Sequence, residues 1–115
     1  MKQSNDQLTI DMFEDERDHA EAPPADWLAL EVFNWAEATF PNRTDASMFL
    51  KMYSEIAELI RSDDEPMELA DLFILLMDYA VRKKISITDS VRKKLEINRQ
   101  RTWKIGADGT MSHEE

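Results

Sequence analysis

The 115-residue chain has no cysteine, two glycines, two histidines and four prolines. Without cysteine there is no disulfide framework, no thiolate zinc site and no thiol nucleophile, which fits a reducing, cytoplasmic setting. His19 and His113 lie in polar end segments, so neither a histidine-centred triad nor a histidine-rich metal site is expected. Gly106 and Gly109 stand together near the C-terminus, which leaves no glycine-rich phosphate loop or dinucleotide-binding turn. Scarce glycine also disfavours a β-rich fold full of tight turns. No apolar leader follows Met1-Lys2. The longest apolar stretch, Leu69 to Val81, is too short to cross a bilayer and contains Asp71 and Asp78, so no membrane partner is expected. What remains is one small helical domain whose chemistry rests on carboxylates, amines and aromatics.

The net charge of −10 disfavours nucleic acid as a partner, but the charge is unevenly spread. Residues 1–26 carry a net −6, residues 55–78 a net −7, and residues 82–104 a net +7. A strongly acidic centre is thus followed by a strongly basic segment.

Residues 1–24, charged and ending in Pro23-Pro24, read as a disordered acidic tail. From there the pattern predicts an all-α, four-helix bundle over residues 25–104 and a short polar tail over 105–115. Asp26 can cap a first helix that ends near Phe40-Pro41. Thr44 and Asp45 can cap a second, in which Met48, Phe49, Met52, Ile56, Leu59 and Ile60 recur at helical spacing. The run Ser62 to Pro66 breaks it, and Pro66 suits the first turn of a third helix reaching about Lys83. Ser86 or Thr88 can cap a fourth that ends near Trp103. Connections this short favour antiparallel neighbours.

The acidic centre holds Glu55-x-x-Glu58, nine further residues, then Glu68-x-x-Asp71. Residues three apart share a helix face, so each helix presents a carboxylate pair. If the helices fold back on each other, the pairs converge and repel unless cations lie between them. Hard divalent ions with oxygen ligands, Mg²⁺ or Mn²⁺, suit such a set. The third helix reads as apolar nearly all round and therefore central, which would place Asp71 and Asp78 in the core. Buried carboxylates need a cation or a hydrogen-bonding partner. A di-iron bundle would need Glu-x-x-His pairs, and none of the helices has a histidine.

In the basic segment, Lys94, Asn98 and Arg101 fall on one helical face, a set suited to phosphate oxygens. Trp35 or Trp103 could supply a wall on which a base stacks.

These residues together resemble a family. Glu55-x-x-Glu58…Glu68-x-x-Asp71 is similar to the signature of the MazG-like, all-α NTP pyrophosphatases. With Trp35…Thr39-Phe40, Asp78 and Lys94-Leu-x-x-Asn98-x-x-Arg101-x-Trp103, residues 27–104 look more narrowly like the phage-type dATP/dGTP pyrophosphohydrolases, the MazZ-like group. Many MazG-like proteins carry a further Glu beside the first motif acid. Here Ser54 and Ile56 flank Glu55, which leaves the number of metals open.

The resemblance implies metal-dependent hydrolysis of a purine deoxynucleoside triphosphate to monophosphate and pyrophosphate. Glu55, Glu58, Glu68 and Asp71 would hold Mg²⁺ or Mn²⁺, with Glu55 also orienting or deprotonating the attacking water. Lys94 and Arg101 would neutralise the leaving pyrophosphate, Asn98 would fix a phosphate or sugar hydroxyl, and Asp78 would contact sugar or base. The resemblance further implies a homodimer or tetramer with sites shared between subunits, and a possible supply of dGMP for a modified purine in phage DNA. Two other readings compete: a non-enzymatic acidic protein that binds a basic partner, and a MazG-like scaffold that binds nucleotide without turnover.

Overall fold

The computed structural model describes residues 24–114, so the expected acidic tail lies, apart from Pro24, outside the described residues. Four helices follow one another: α1 (Pro24–Thr39), α2 (Asp45–Arg61), α3 (Glu65–Arg82) and α4 (Ile87–Arg99). Two short strands, β1 (Trp103–Ile105) and β2 (Met111–His113), close the chain. Among the described residues no helix is long and apolar enough to cross a membrane.

The helix starts follow local chemistry. Thr44 caps α2 in a reciprocal box, its hydroxyl accepting from Ser47 N at 3.0 Å while Thr44 N donates to Ser47 Oγ at 2.9 Å. Pro66 sits in the first turn of α3, where no amide donor is needed. The Ser86 hydroxyl accepts from Asp89 N at 3.1 Å and caps α4. Lys84, with φ of 58°, takes the left-handed conformation that stops α3.

Helix α1 packs on α3, α2 on α3, and α4 on α1. Ala29, Leu30 and Phe33 of α1 bury themselves against Val81 of α3, with Trp27, Met77 and Ile87 packed around them. Asp45 at the start of α2 pairs with Arg82 and Lys83 at the end of α3, at 3.1 and 2.5 Å, so α2 and α3 form an antiparallel hairpin.

Four expectations need correction. Asp26 does not cap α1, which begins two residues earlier; instead its buried carboxylate accepts from Ser86 Oγ at 2.6 Å and from Thr88 N at 3.1 Å. It therefore satisfies one open amide of α4, and holds the capping hydroxyl of Ser86, from across the core. Helix α4 ends at Arg99 rather than near Trp103, because the Trp103 indole N–H donates to the Asn98 carbonyl at 2.9 Å and turns the chain into β1.

The third correction concerns the polar tail over 105–115. Part of it forms an antiparallel hairpin with Trp103 opposite His113 and Ile105 opposite Met111. Both glycines serve its turn. Gly109 has φ of 87°, and a Cβ on Gly106 would meet Thr110 Oγ1 at 2.7 Å. Lastly, α3 is not buried all round: Met67, Leu69, Phe73 and Leu76 are exposed, as is Asp71. One chain supplies α3 with α1 and α2 as cover, and the remaining face stays open.

Candidate active site

Antiparallel pairing of α2 with α3 sets Glu55 opposite Glu68 and Asp71. One carboxylate oxygen from each lies within 4.8 Å of the others. Glu55 is buried, Glu68 half-buried and Asp71 exposed, so the trio runs from the floor of the site to its rim. Asp71 is thus a carboxylate at the solvent edge and not in the core, which removes burial as a reason for it to bind a cation. Convergence with Glu55 and Glu68 supplies the reason instead. Three oxygen donors with neither nitrogen nor sulfur among them suit a hard divalent ion.

The electrostatics show the crowding. Desolvation raises the Glu68 carboxyl above its ordinary value, and the charges of Asp71, Glu55, Glu58 and Asp64 add to that. Lys51, one turn before Glu55, places Nζ 3.1 Å from Glu55 Oε2 and offsets part of the charge. Glu58, the fourth expected ligand, stays outside the trio; its carboxylate pairs with Arg61 at 3.3 Å on the surface.

A cavity of about 780 Å³ opens beside the trio, and Glu55 and Asp71 form part of its wall. Trp35, Phe40, Met48, Ile74 and Leu75 give it an apolar lining, with Lys51 and Asn42 among its polar groups. Trp35 and Phe40 meet edge to face with ring centroids 5.5 Å apart. An apolar cleft with an acidic, metal-competent end has the composition of a site for an aromatic ring joined to a phosphate chain.

The remaining predicted residues divide. Trp35 lines the cavity; Trp103 does not, and its ring lies against His113 with centroids 5.9 Å apart. Asp78 also lines the cavity, but both its oxygens accept from Arg43, at 2.7 Å from Nε and 2.7 Å from Nη2. Lys94, Asn98 and Arg101 are absent from the cavity wall, and α4 packs on α1 rather than on the acidic hairpin. Since α4 ends at Arg99, Arg101 lies past the helix, and the three do not form one helical face. The Asn98 Oδ1 atom is buried without a hydrogen-bond partner among the described residues.

Arg43 and Lys51 escaped the sequence reading. Lys51 carried a usable signal, its four-residue spacing from Glu55. Arg43 carried a fainter one: it is the lone lysine or arginine within residues 26–50, and Asp78 needed a partner.

Comparison with known proteins adds a second line of support. A family model described as dATP/dGTP pyrophosphohydrolase matches residues 27–114. The dATP/dGTP diphosphohydrolase of cyanophage S-2L is 38% identical over 88 residues, covering 75% of this chain and 84% of that protein. A protein of the same name from Salmonella phage PMBT28 is 41% identical over 83 residues, which are 71% of this chain and 29% of that longer protein. Among solved structures, the cyanophage S-2L MazG-like pyrophosphohydrolase bound to dGDP and three catalytic Mn²⁺ ions per active site superposes with a TM-score of 0.74 at 35% identity. It covers 81% of this chain and 99% of that one.

Proposed function

The chain belongs to the dATP/dGTP pyrophosphohydrolase family, and from that premise we propose that it cleaves dGTP or dATP between the α and β phosphates. The products are the monophosphate and pyrophosphate. Membership of an enzyme family sets aside the non-enzymatic acidic protein. The observation that carries the reading is the convergence of Glu55, Glu68 and Asp71 at the mouth of a cavity walled by Trp35 and Phe40.

The three carboxylates would hold Mg²⁺ or Mn²⁺, with Glu58 at the rim as the fourth oxygen donor once it leaves Arg61. Such ions would supply Lewis-acid chemistry, drawing charge from the phosphate and making a water a readier nucleophile. Glu55, buried at the floor, is placed to orient that water and accept its proton. Trp35 and Phe40 offer the purine an apolar wall that excludes water from one of its faces. Lys51, already beside Glu55, adds positive charge where the phosphates enter.

Lys94, Asn98 and Arg101 remain the set suited to the leaving pyrophosphate, and their distance from the cavity points to their use by a second copy. The exposed apolar stripes support assembly: Phe49, Tyr53, Ile56 and Ile60 along α2, and Leu69, Phe73 and Leu76 along α3. The homo-oligomer, dimer or tetramer, would bring one chain's basic segment over its neighbour's acids. In a phage, dGMP so formed would feed synthesis of a modified purine nucleotide.

Incubation with each canonical dNTP and NTP plus Mg²⁺ or Mn²⁺, with products separated by chromatography, tests the reaction. Pyrophosphate plus purine monophosphate is the expected result; orthophosphate, or no turnover with either metal, overturns the proposal. Asp71→Asn should lower kcat at least about a hundredfold, since even groups that only support a metal's ligands cost about 10–100-fold when lost. Because Asp71 is exposed and repelled by its neighbours, the metal-free melting temperature should hold or rise.

A further inference from the structure

Arg43, in the loop between α1 and α2, ties two parts of the cavity wall, Phe40 and Asp78, to each other and to Glu37 on α1. Its Nε and Nη2 each donate to Asp78 at 2.7 Å, and its Nη1 donates to Glu37 Oε1 and to the Phe40 carbonyl, both at 3.1 Å. The pair is nearly sealed from water, with the Arg43 side chain 8% exposed and that of Asp78 4%. The guanidinium also lies 5.5 Å from the centre of the Phe33 ring. The Phe40 amide donates to Ala36 O at 2.7 Å and the Arg43 amide to Phe40 O at 3.2 Å, so backbone and side chain close the same tight turn.

Phe40 and Trp35 form the aromatic wall, and Arg43 grips Phe40 by its carbonyl. Asp78 stands on α3 two helical turns past Asp71, about 10 Å along the axis at 1.5 Å per residue. The helix that carries a metal-site acid therefore also carries the anchor of the aromatic wall. A straight helix does not stretch, so the span from wall to acids is set by α3 through Asp78 and Arg43. Only a planar fork can hold both Asp78 oxygens and reach the Phe40 carbonyl at once.

We propose that the Arg43–Asp78 pair is a positioning device that fixes the width of the base cleft and thereby the preference for purine over pyrimidine. This rests on the reading that the cavity takes the nucleobase. Asp78 then acts on the substrate through Arg43 and does not itself contact sugar or base. With the phosphates held at the acids, a two-ring base reaches the wall across the fixed span, and a one-ring base falls short of it and loses contact.

The test compares the unsubstituted protein with Arg43→Lys, Glu37→Ala and the double variant Arg43→Lys/Asp78→Glu. The readouts are kcat and KM for dGTP and dCTP, Mn²⁺ binding without nucleotide, and thermal melting. Arg43→Lys should raise KM for dGTP about tenfold at nearly constant kcat, the scale of a lost charge-assisted hydrogen bond. The dGTP:dCTP ratio of kcat/KM should fall in step, with Mn²⁺ affinity unchanged. Adding Asp78→Glu lengthens the acid as the base shortens and should recover part of the ratio.

Glu37→Ala, at an exposed position, loosens the same clamp and should shift the ratio about threefold, which decides the matter if Arg43→Lys does not fold. Equal losses for both substrates, a fall in kcat at constant KM, or an unchanged ratio in folded Glu37→Ala would overturn the positioning role. Failure of the unsubstituted protein to cleave dGTP overturns the parent reading instead, before any variant is made.

Discussion

Glu68 faces more negative charge than it can comfortably share. Burial and the acids around it raise its carboxyl above the ordinary value, so the folded protein keeps that proton after the unfolded chain has lost it. The resulting contribution to stability is full below the unfolded value and disappears as pH rises through the folded one. Metal-free protein should therefore lose melting temperature from this group as pH rises above the ordinary glutamate range. Glu68→Gln should flatten that slope, and an unchanged slope would refute the assignment. Mn²⁺ needs the ionised carboxylates, so its stabilising effect should grow over the same interval.

The acidic residues were legible because three-residue spacing on two adjoining helices is a local code. Arg43 was not, since it meets Asp78 across 35 positions and its isolation among residues without other bases does not name the partner. Asp71 shows the converse limit. Its apolar neighbours in sequence placed it in a core, while the face it occupies turns outward and brings it to Glu55 and Glu68.

At the level of elements, helix starts were read well because capping involves neighbours within one turn, as at Thr44 with Ser47 and Ser86 with Asp89. The end of α4 and the C-terminal hairpin were read poorly. Strands of three residues, all exposed, have no alternation to detect, although Asp108-Gly109 is itself a turn signal. Asp26 marks where local reasoning fails in a useful way: a residue suited to capping does cap, but on a helix sixty residues away. Asp26→Ala should leave Ser86 Oγ and Thr88 N without their buried acceptor and cost about 2 kcal/mol, measured by denaturant titration. Hydrogen exchange should then quicken in α4 before it does in α2 or α3.

On the scale of the whole molecule, the proposed assembly, in which neither chain is complete alone, draws on the exposed stripes of α2 and α3 and the basic segment away from the cavity. Glu55→Gln should remove activity through the acids, and Lys94→Ala should weaken it through the phosphates. If sites are shared, mixing and re-equilibrating the two inactive or weakened proteins should restore up to roughly a quarter of the unsubstituted rate, the share expected for one intact site per mixed dimer. Mixtures no more active than their average would show that each chain works by itself. Ile60→Lys, at a position 78% exposed in one chain, should shift sedimentation toward the monomer.

The reach of the Asp26 contacts bears on how the chain acquires its shape. The α2–α3 hairpin joins segments separated by a three-residue connection, so its closure costs little chain entropy and can come early. Docking of α4 on α1 through Asp26 must close a span of 62 positions, and its reward arrives only when both ends are in place. The acidic hairpin is thus expected to form ahead of the step that locks the outer helices. Removing the Asp26 carboxylate should speed unfolding in stopped-flow experiments and leave the refolding rate nearly untouched.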